Sequence, residues 1–340
     1  MAEQQQHATY LWWNGERRRW EDATIHVTEL GWSTVGAVFE GIRAYAGHDG
    51  ELSVFRLQEH LERLERSMRL VRLRLDYSLD ELTDAILDLL QANEVHEDTY
   101  IRPLAYAADT SGKRFAQIGN EAALLINTAP QATHLGTGLT HTAKVSSWRR
   151  ISEDVMPPRI KNLSNYRNGQ LASQEARLDG YDTAFLLNAQ GTVAEGPGAC
   201  VMMVQGGTLI TPTVTCSILE SITRDALIVL AREVLGIPVV ERQVDRTELY
   251  VADEVFTCGT AAEITPVVSV DKYTVGSGEI GPVTRELEHA FLDVLRGDEE
   301  RFAAWRTPVW AAVPAGVRSR VIAEPSPPTP TPSRGRGGRG

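Results

Sequence analysis

Apolar residues at Leu57, Leu61, Leu64 and Met68 recur with helical spacing and predict a helix over residues 57–71. A second helix is predicted from Ser78, where Glu81 three residues on completes a capping box ahead of LTDAILDLL. Two more are predicted over SITRDALIVLAREVLG (221–236) and PVTRELEHAFLDVLRG (282–297). Elsewhere the apolar residues come in short runs. YIRPL (100–104), AALLIN (122–127), TAFLL (183–187), CVMMV (200–204) and EVFTC (254–258) predict strands. Near the N-terminus, Tyr10–Trp13 and a polar run ending at Trp20 flank Asn14-Gly15, the signature of a tight hairpin. Around residues 129–136 the periodicity stops and Pro and Gly appear together, so 129–137 is expected to connect two domains, 1–128 and 138–310. No internal repeat is visible.

Composition narrows the class. The 340 residues are 42% hydrophobic and 23% charged, as in an ordinary globular protein of about two domains. A formal net charge of -11 makes nucleic acid and anionic membrane poor partners for the folded body. No run of 18 apolar residues and no signal core occur, so no membrane association and a cytoplasmic location are expected. Cys200, Cys216 and Cys258 are widely spaced, show no metal-ligand pattern, and read as reduced thiols. The Pro-, Ser- and Gly-rich end, EPSPPTPTPSRGRGGRG, predicts a disordered tail over about 321–340. Its arginine-glycine steps are those of segments that touch RNA, but composition alone favours a solvated tail without a specific partner.

Charge choice singles out one position. The chain has four lysines, Lys113, Lys144, Lys161 and Lys272, against 30 arginines. Arginine keeps its proton, whereas a lysine amine can be tuned to act as a nucleophile. Lys161, in RIKNLSNY, is therefore a candidate, although a lone lysine is more often solvated surface. Glu195-Gly196-Pro197-Gly198 sets a carboxylate beside two glycines, which admit a flat ligand closely or simply form a turn. Leu219-Glu220-Ser221-Ile222-Thr223 opens a helix whose free amides suit a phosphate, or whose hydroxyls merely cap it. Gly259-Thr260-Ala261-Ala262-Glu263 places small residues and a hydroxyl at a strand end. Each piece is weak alone. Together, in this order, they are specific.

The full set resembles the class IV aminotransferases, which fold around pyridoxal 5′-phosphate (PLP), and within them the branched-chain amino acid aminotransferases. The resemblance runs to about Gly297 and includes WWNGERRRWEDATIHV, VFEGIRAY, HLERL, YIRPL, SSWRR, EGPGA, ITRDA and ADEVFTCGTAAEITPV. It implies an α/β (α+β) fold of two domains, fold-type IV. A small N-terminal α/β domain would cover 1–128 and a larger barrel-like, PLP-binding domain 138–310, joined at 129–137. It also implies a homodimer or higher homo-oligomer.

The same resemblance assigns roles. Lys161 would form the Schiff base with PLP and then move the proton between substrate and cofactor. Glu195 would face the pyridine nitrogen, Tyr166 the ring hydroxyl oxygen, and Leu219 the ring face. Arg63, the amides of Ile222 and Thr223, and the Thr260 hydroxyl would hold the phosphate. Tyr100 with the backbone of Thr260 and Ala261 would take the substrate α-carboxylate. Phe39 and Gly41 would line the substrate pocket, and Arg102 would reach the distal carboxylate of glutamate or 2-oxoglutarate. The implied reaction is exchange of an amino group between a branched-chain L-amino acid and 2-oxoglutarate, in ping-pong order.

Three departures bear on substrate. Thr34 and Val35 stand where the family usually has tyrosine and glycine, and Gln131 and His134 where the interdomain loop usually carries aromatic residues. Glu220-Ser221 replaces proline-glycine ahead of the phosphate helix, where Ser221 can cap. Thr34, Gln131 and His134 leave open a class IV transaminase for an (R)-amine, a D-amino acid or a specialised substrate. A catalytically idle scaffold is disfavoured by the intact Lys161, Glu195, Tyr166 and Arg63 set.

Overall fold

Asn14 and Gly15 both adopt positive φ, 50° and 89°, and turn β1 (Tyr10–Trp13) back on β2 (Glu16–Arg19) as their sequence predicts. The computed structural model describes residues 7–27, 32–108 and 121–310; the expected tail at 321–340 lies outside the described residues. After the short helix α1 (Trp32–Val35), strands β3 (Val38–Phe39), β4 (Ile42–Ala46) and β5 (Leu52–Phe55) are followed by α2 (Leu57–Leu70) and α3 (Leu79–Ala92). Strands β6 (Thr99–Ala107) and β7 (Ala122–Pro130) complete this part. Pairing is antiparallel throughout, with β4, β6, β7 and β1 adjacent in that order and β3 added to β6. Leu57, Leu61, Leu64 and Met68 of α2 are all buried against the sheet, together with Ile86 and Leu89 of α3. Ser78 caps α3 with the reciprocal Glu81 bonds that the sequence predicts.

The second sheet is mixed. It comprises β8 (His141–Arg149), β9 (Thr183–Leu187), β10 (Cys200–Gln205), β11 (Thr208–Thr211), β12 (Val239–Glu241), β13 (Glu254–Gly259), β14 (Glu263–Val270) and β15 (Tyr273–Thr274). The order is β12-β11-β10-β13-β14-β8-β9, with β15 on β14. The β11–β12, β14–β8 and β8–β9 pairs are parallel. Its helices are α4 (Leu163–Leu178), α5 (Ile222–Glu233), α6 (Glu248–Val251) and α7 (Pro282–Arg296). Leu227 of α5 and Phe291 of α7 share one core with Tyr45 and Phe55 of the first sheet, so the two halves are fused by apolar contact.

The boundaries differ from expectation in two places. β7 runs to Pro130 and β8 starts at His141, so the connection is 131–140 rather than 129–137. The span 138–310 also needs correction, because β16 (Arg306–Pro308) returns to the first sheet and pairs with β5. Val309 is buried there, and the Trp310 indole donates to the Val95 carbonyl at 3.1 Å. A three-residue strand ended by Pro308 carries too little periodicity to announce itself. Helix α4 is also unmarked by pattern, since the residues it buries are Asn165, Gly169, Ala172 and Ala176. Small and polar residues draw no apolar stripe.

Candidate active site

A cavity of about 220 Å³ lies where the two halves meet. Phe39, Gly41, Arg63 and Tyr100 line it from the first half, and Lys161, Tyr166, Glu195, Leu219, Thr260 and Ala261 from the second. Ten of the expected site residues thus converge on one space.

Lys161 sits two residues ahead of α4, in a segment fixed by its neighbours. Asn162 caps α4 by accepting from the Ser164 amide at 2.8 Å. The Asn165 amide group donates back to the carbonyls of Pro157 and Ile160, at 3.1 and 3.0 Å. The Lys161 backbone donates to Ser67 Oγ and its carbonyl accepts from Phe39, so both ends of the residue are pinned to the first half. Its Nζ donates to Tyr166 Oη at 2.7 Å and lies 4.8 Å from the Phe39 ring centroid. Burial pulls the Lys161 amine down most strongly, but the Tyr166 oxygen and Glu40 outweigh it and the net direction is upward. The free amine therefore rests as a cation held by a phenol oxygen.

Glu195 faces the same space from the turn after β9. Arg150 Nη2 reaches its Oε1 at 2.6 Å, and the Leu219 amide donates to its Oε2 at 3.0 Å. Burial raises the Glu195 carboxyl, against the pull of Arg150. A Cβ at Gly169 would come within 2.4 Å of the Pro197 carbonyl oxygen. Only glycine lets α4 lie this close to the Glu195 turn, which fixes Lys161 and Tyr166 relative to the carboxylate.

At the other end, Ser221 lines the cavity and caps α5 by accepting from the Arg224 amide at 3.2 Å. Ile222 and Thr223 open the helix, so their amides have no intrahelical acceptor and present a partial positive charge. Arg63 lies beside them, its Nη1 donating to the Glu220 carbonyl at 2.7 Å. Arg63 would meet a phosphate with only part of its fork. Nε and Nη2 already grip Glu40 at 2.7 and 2.8 Å, leaving one N–H each on Nη1 and Nη2. His60 Nδ1 also contacts Glu40, at 2.7 Å. Burial pushes the Glu40 carboxyl up, but Arg63 and His60 outweigh it and hold it well below the usual carboxylate range.

At the substrate end, Tyr100 Oη occupies the space beside Gly41, where a Cβ would lie 2.1 Å from it. Burial raises the Tyr100 phenol, which favours its protonated form. Thr260, Ala261 and Ala262 form the tip of the β13–β14 hairpin, closed by the Gly259–Glu263 pair.

Four residues expected at the substrate end stand outside the lining. Arg102 shares the Tyr100 face of β6 but is exposed, with its Nε donating to Asn127 Oδ1 at 3.2 Å. Thr34 lies on α1 and is exposed. Gln131 uses its backbone, accepting from Arg43 Nη2 at 2.6 Å. His134 is turned onto Glu263, with Nδ1 3.1 Å from Oε2. Conversely, Arg150 escapes a reading of the sequence. The SSWRR run carries two adjacent arginines, and β8 ends at Arg149, so no alternation tells that Arg150 turns inward while Arg149 stays exposed. Cys200 and Cys258 also line the cavity, and burial pushes the Cys200 thiol up to about 12, so it is inert.

Comparison with known proteins fits this geometry. The family model for amino-transferase class IV matches residues 37–270. The probable branched-chain-amino-acid aminotransferase of Aquifex aeolicus (strain VF5) is 41% identical over 292 residues, 85% of this chain and 93% of that protein. The crystal structure of the branched-chain amino acid aminotransferase from Thermobaculum terrenum, in its PLP form, superposes with a TM-score of 0.87 at 50% identity. It covers 90% of this chain and 99% of that one. The branched-chain aminotransferase of the archaeon Thermoproteus uzoniensis, solved with norvaline, gives a TM-score of 0.82 at 38% identity, covering 89% of this chain and 99% of that one. This chain belongs to the amino-transferase class IV family.

Proposed function

We propose that this chain is a PLP-dependent transaminase exchanging an amino group between a branched-chain L-amino acid and 2-oxoglutarate in two half-reactions. The observation that carries the reading is Lys161 Nζ, held 2.7 Å from Tyr166 Oη in a cavity that also presents Glu195. The residues fit the cofactor's chemistry. They offer one amine for an aldehyde, one carboxylate for a ring nitrogen, one phenol for a ring oxygen, and a helix N-terminus with an arginine for a phosphate.

When bound, PLP supplies an electron sink for the electron pair left when the substrate Cα–H bond breaks. Lys161 Nζ, once deprotonated, would take the proton from the substrate Cα and deliver it to the carbon on the other side of the amino nitrogen. Tyr166 accepts from that amine and orients it. Glu195, itself oriented by Arg150 and the Leu219 amide, holds a proton on the ring nitrogen. Leu219 covers the ring face. Arg63, the Ile222 and Thr223 amides and the Thr260 hydroxyl hold the phosphate. Tyr100 and the Thr260–Ala261 backbone bind the α-carboxylate, and Phe39 and Gly41 shape the apolar side. Arg102, on the same strand face as Tyr100, meets the distal carboxylate of glutamate at the rim. A homodimer or higher homo-oligomer, as the family resemblance implies, is part of the same proposal. No described helix is long and apolar enough to cross a membrane. Thr34, Gln131 and His134, whose identities raised an (R)-amine or D-amino acid substrate, lie outside the lining residues, and we carry no second reading.

The test is single-donor conversion of the PLP-loaded protein, followed by loss of its visible absorbance. L-Leucine, L-isoleucine, L-valine and L-glutamate should convert rapidly, and D-alanine and (R)-1-phenylethylamine should not. The reverse order refutes the reading. Lys161→Ala should abolish turnover while cofactor still binds noncovalently, and wild-type-like turnover by that variant would overturn the assignment.

A further inference from the structure

Glu263 is a glutamate in a place that favours glycine. It closes the β13–β14 hairpin in the left-handed region, φ 44°, where an L side chain costs on the order of 1 kcal/mol. Its side chain is fully buried, so the cost is not offset by solvation. What the carboxylate touches supplies the reason. Arg43 Nη1 approaches Oε1 at 2.6 Å and the Tyr45 hydroxyl donates to the same oxygen at 2.9 Å, both from β4. The Thr133 hydroxyl and the His134 amide donate to Oε2 at 3.0 and 2.9 Å, both from the connection between the halves. One carboxylate thus gathers three segments that are distant in sequence.

Those segments carry the two walls of the substrate end. Thr260 and Ala261 stand on the hairpin that Glu263 closes, and Arg43 is the register partner of Tyr100 across β4 and β6. We infer that Glu263 is a positioning residue: its buried contacts with Arg43, Tyr45, Thr133 and His134 set the spacing between Tyr100 and the Thr260–Ala261 tip, and so set affinity for the substrate carboxylate. This rests on the reading of that end of the cavity given under Proposed function. Of the groups at the phosphate end, α5 and Arg63 share none of these contacts, and the Thr260 hydroxyl alone belongs to the hairpin that Glu263 closes.

The experiment uses PLP-loaded wild type and Glu263→Gln, which keeps the shape and loses the charge. Three quantities are read: the Kd of 4-methylvalerate, a non-reacting carboxylate, from the cofactor absorbance; KM and kcat for L-leucine; and the Kd of PLP for the unloaded protein. Misplacement of one wall should weaken the carboxylate and raise KM by about tenfold or more, with kcat and PLP affinity within about threefold. Unchanged carboxylate affinity, or a loss that PLP affinity and kcat share equally, overturns the inference. Should Glu263→Gln not fold, Thr133→Val removes one bond from the connection. It should weaken 4-methylvalerate about threefold without changing PLP affinity, and no weakening would count against the inference. A wild type that binds 4-methylvalerate but does not convert L-leucine would refute the proposed function while leaving this positioning test readable.

Discussion

Two buried carboxylates, Glu40 and Glu263, each hold an arginine and a histidine from elsewhere in the chain, yet they organise different things. Both partners of Glu40, His60 and Arg63, stand one turn apart on α2. Glu40 therefore fixes the direction of one side chain, turning Arg63 so that Nη1 points to the start of α5. The ligands of Glu263 come from β4 and from the interdomain connection, and Glu263 itself from the second sheet. A carboxylate bound by one helix orients a group. A carboxylate that ties two distant segments to its own sets the distance between walls. On the proposed reading of the cavity, the first serves the phosphate end and the second the substrate end.

The largest expected effect breaks the first cluster. Glu40→Leu leaves Arg63 buried without its counter-charge, which should destabilise the unloaded protein by about 3–5 kcal/mol. PLP phosphate would restore part of that charge balance. The cofactor-induced rise in urea midpoint should therefore be larger for the variant than for wild type. An equal rise in both would show that Arg63 does not face the phosphate. Glu263→Gln should show no such cofactor-dependent rescue, which separates the two clusters.

The site was legible in sequence where a residue's chemistry is unusual for its place. Lys161 stood out against 30 arginines, and Glu195 lay between a strand and two glycines. Helices with regular apolar stripes, α2, α3, α5 and α7, were likewise readable. What stayed hidden depends on contacts between distant segments. Arg150 turns inward only because Glu195 waits across the cavity, and β16 exists only because β5 offers an edge. His134 looks like a pocket wall in sequence because its neighbour Glu263 lies 129 residues further along the chain. The Arg63 fork looks free for phosphate for the same reason, since nothing local shows that Glu40 folds back onto it.

A second change sharpens the substrate end alone. In Gly41→Ala the new Cβ would meet Tyr100 Oη at 2.1 Å, and the phenol must move. KM for L-leucine should rise about tenfold, equivalent to about 1.4 kcal/mol, with PLP affinity retained. Pairing it with Glu263→Gln tests whether both act on one spacing. Coupled effects fall short of the product of the single ones, whereas independent effects multiply.

The smallest effect provides the control. Glu175 on α4 also gathers several ligands, namely the Lys144 ammonium at 3.2 Å, the Ser146 hydroxyl and the Ser147 amide, all from β8, but it is not among the residues that line the cavity. Burial pushes its carboxyl up, but Ser146, Ser147 and Lys144 outweigh it and hold it at about 2, below the ordinary 4.5. A depressed carboxyl stabilises the fold above its unfolded value and loses that contribution as pH falls through its folded one. Glu175→Gln should therefore lower stability by about 1 kcal/mol at pH 7, after allowance for the water that reaches the group. The gap between variant and wild type should close as pH falls from about 4.5 toward about 2. KM, kcat and PLP affinity should not move. A change in KM here would mean that loss of any ligated carboxylate near α4 disturbs the substrate end, and Glu263 would lose its claim to a specific positioning role.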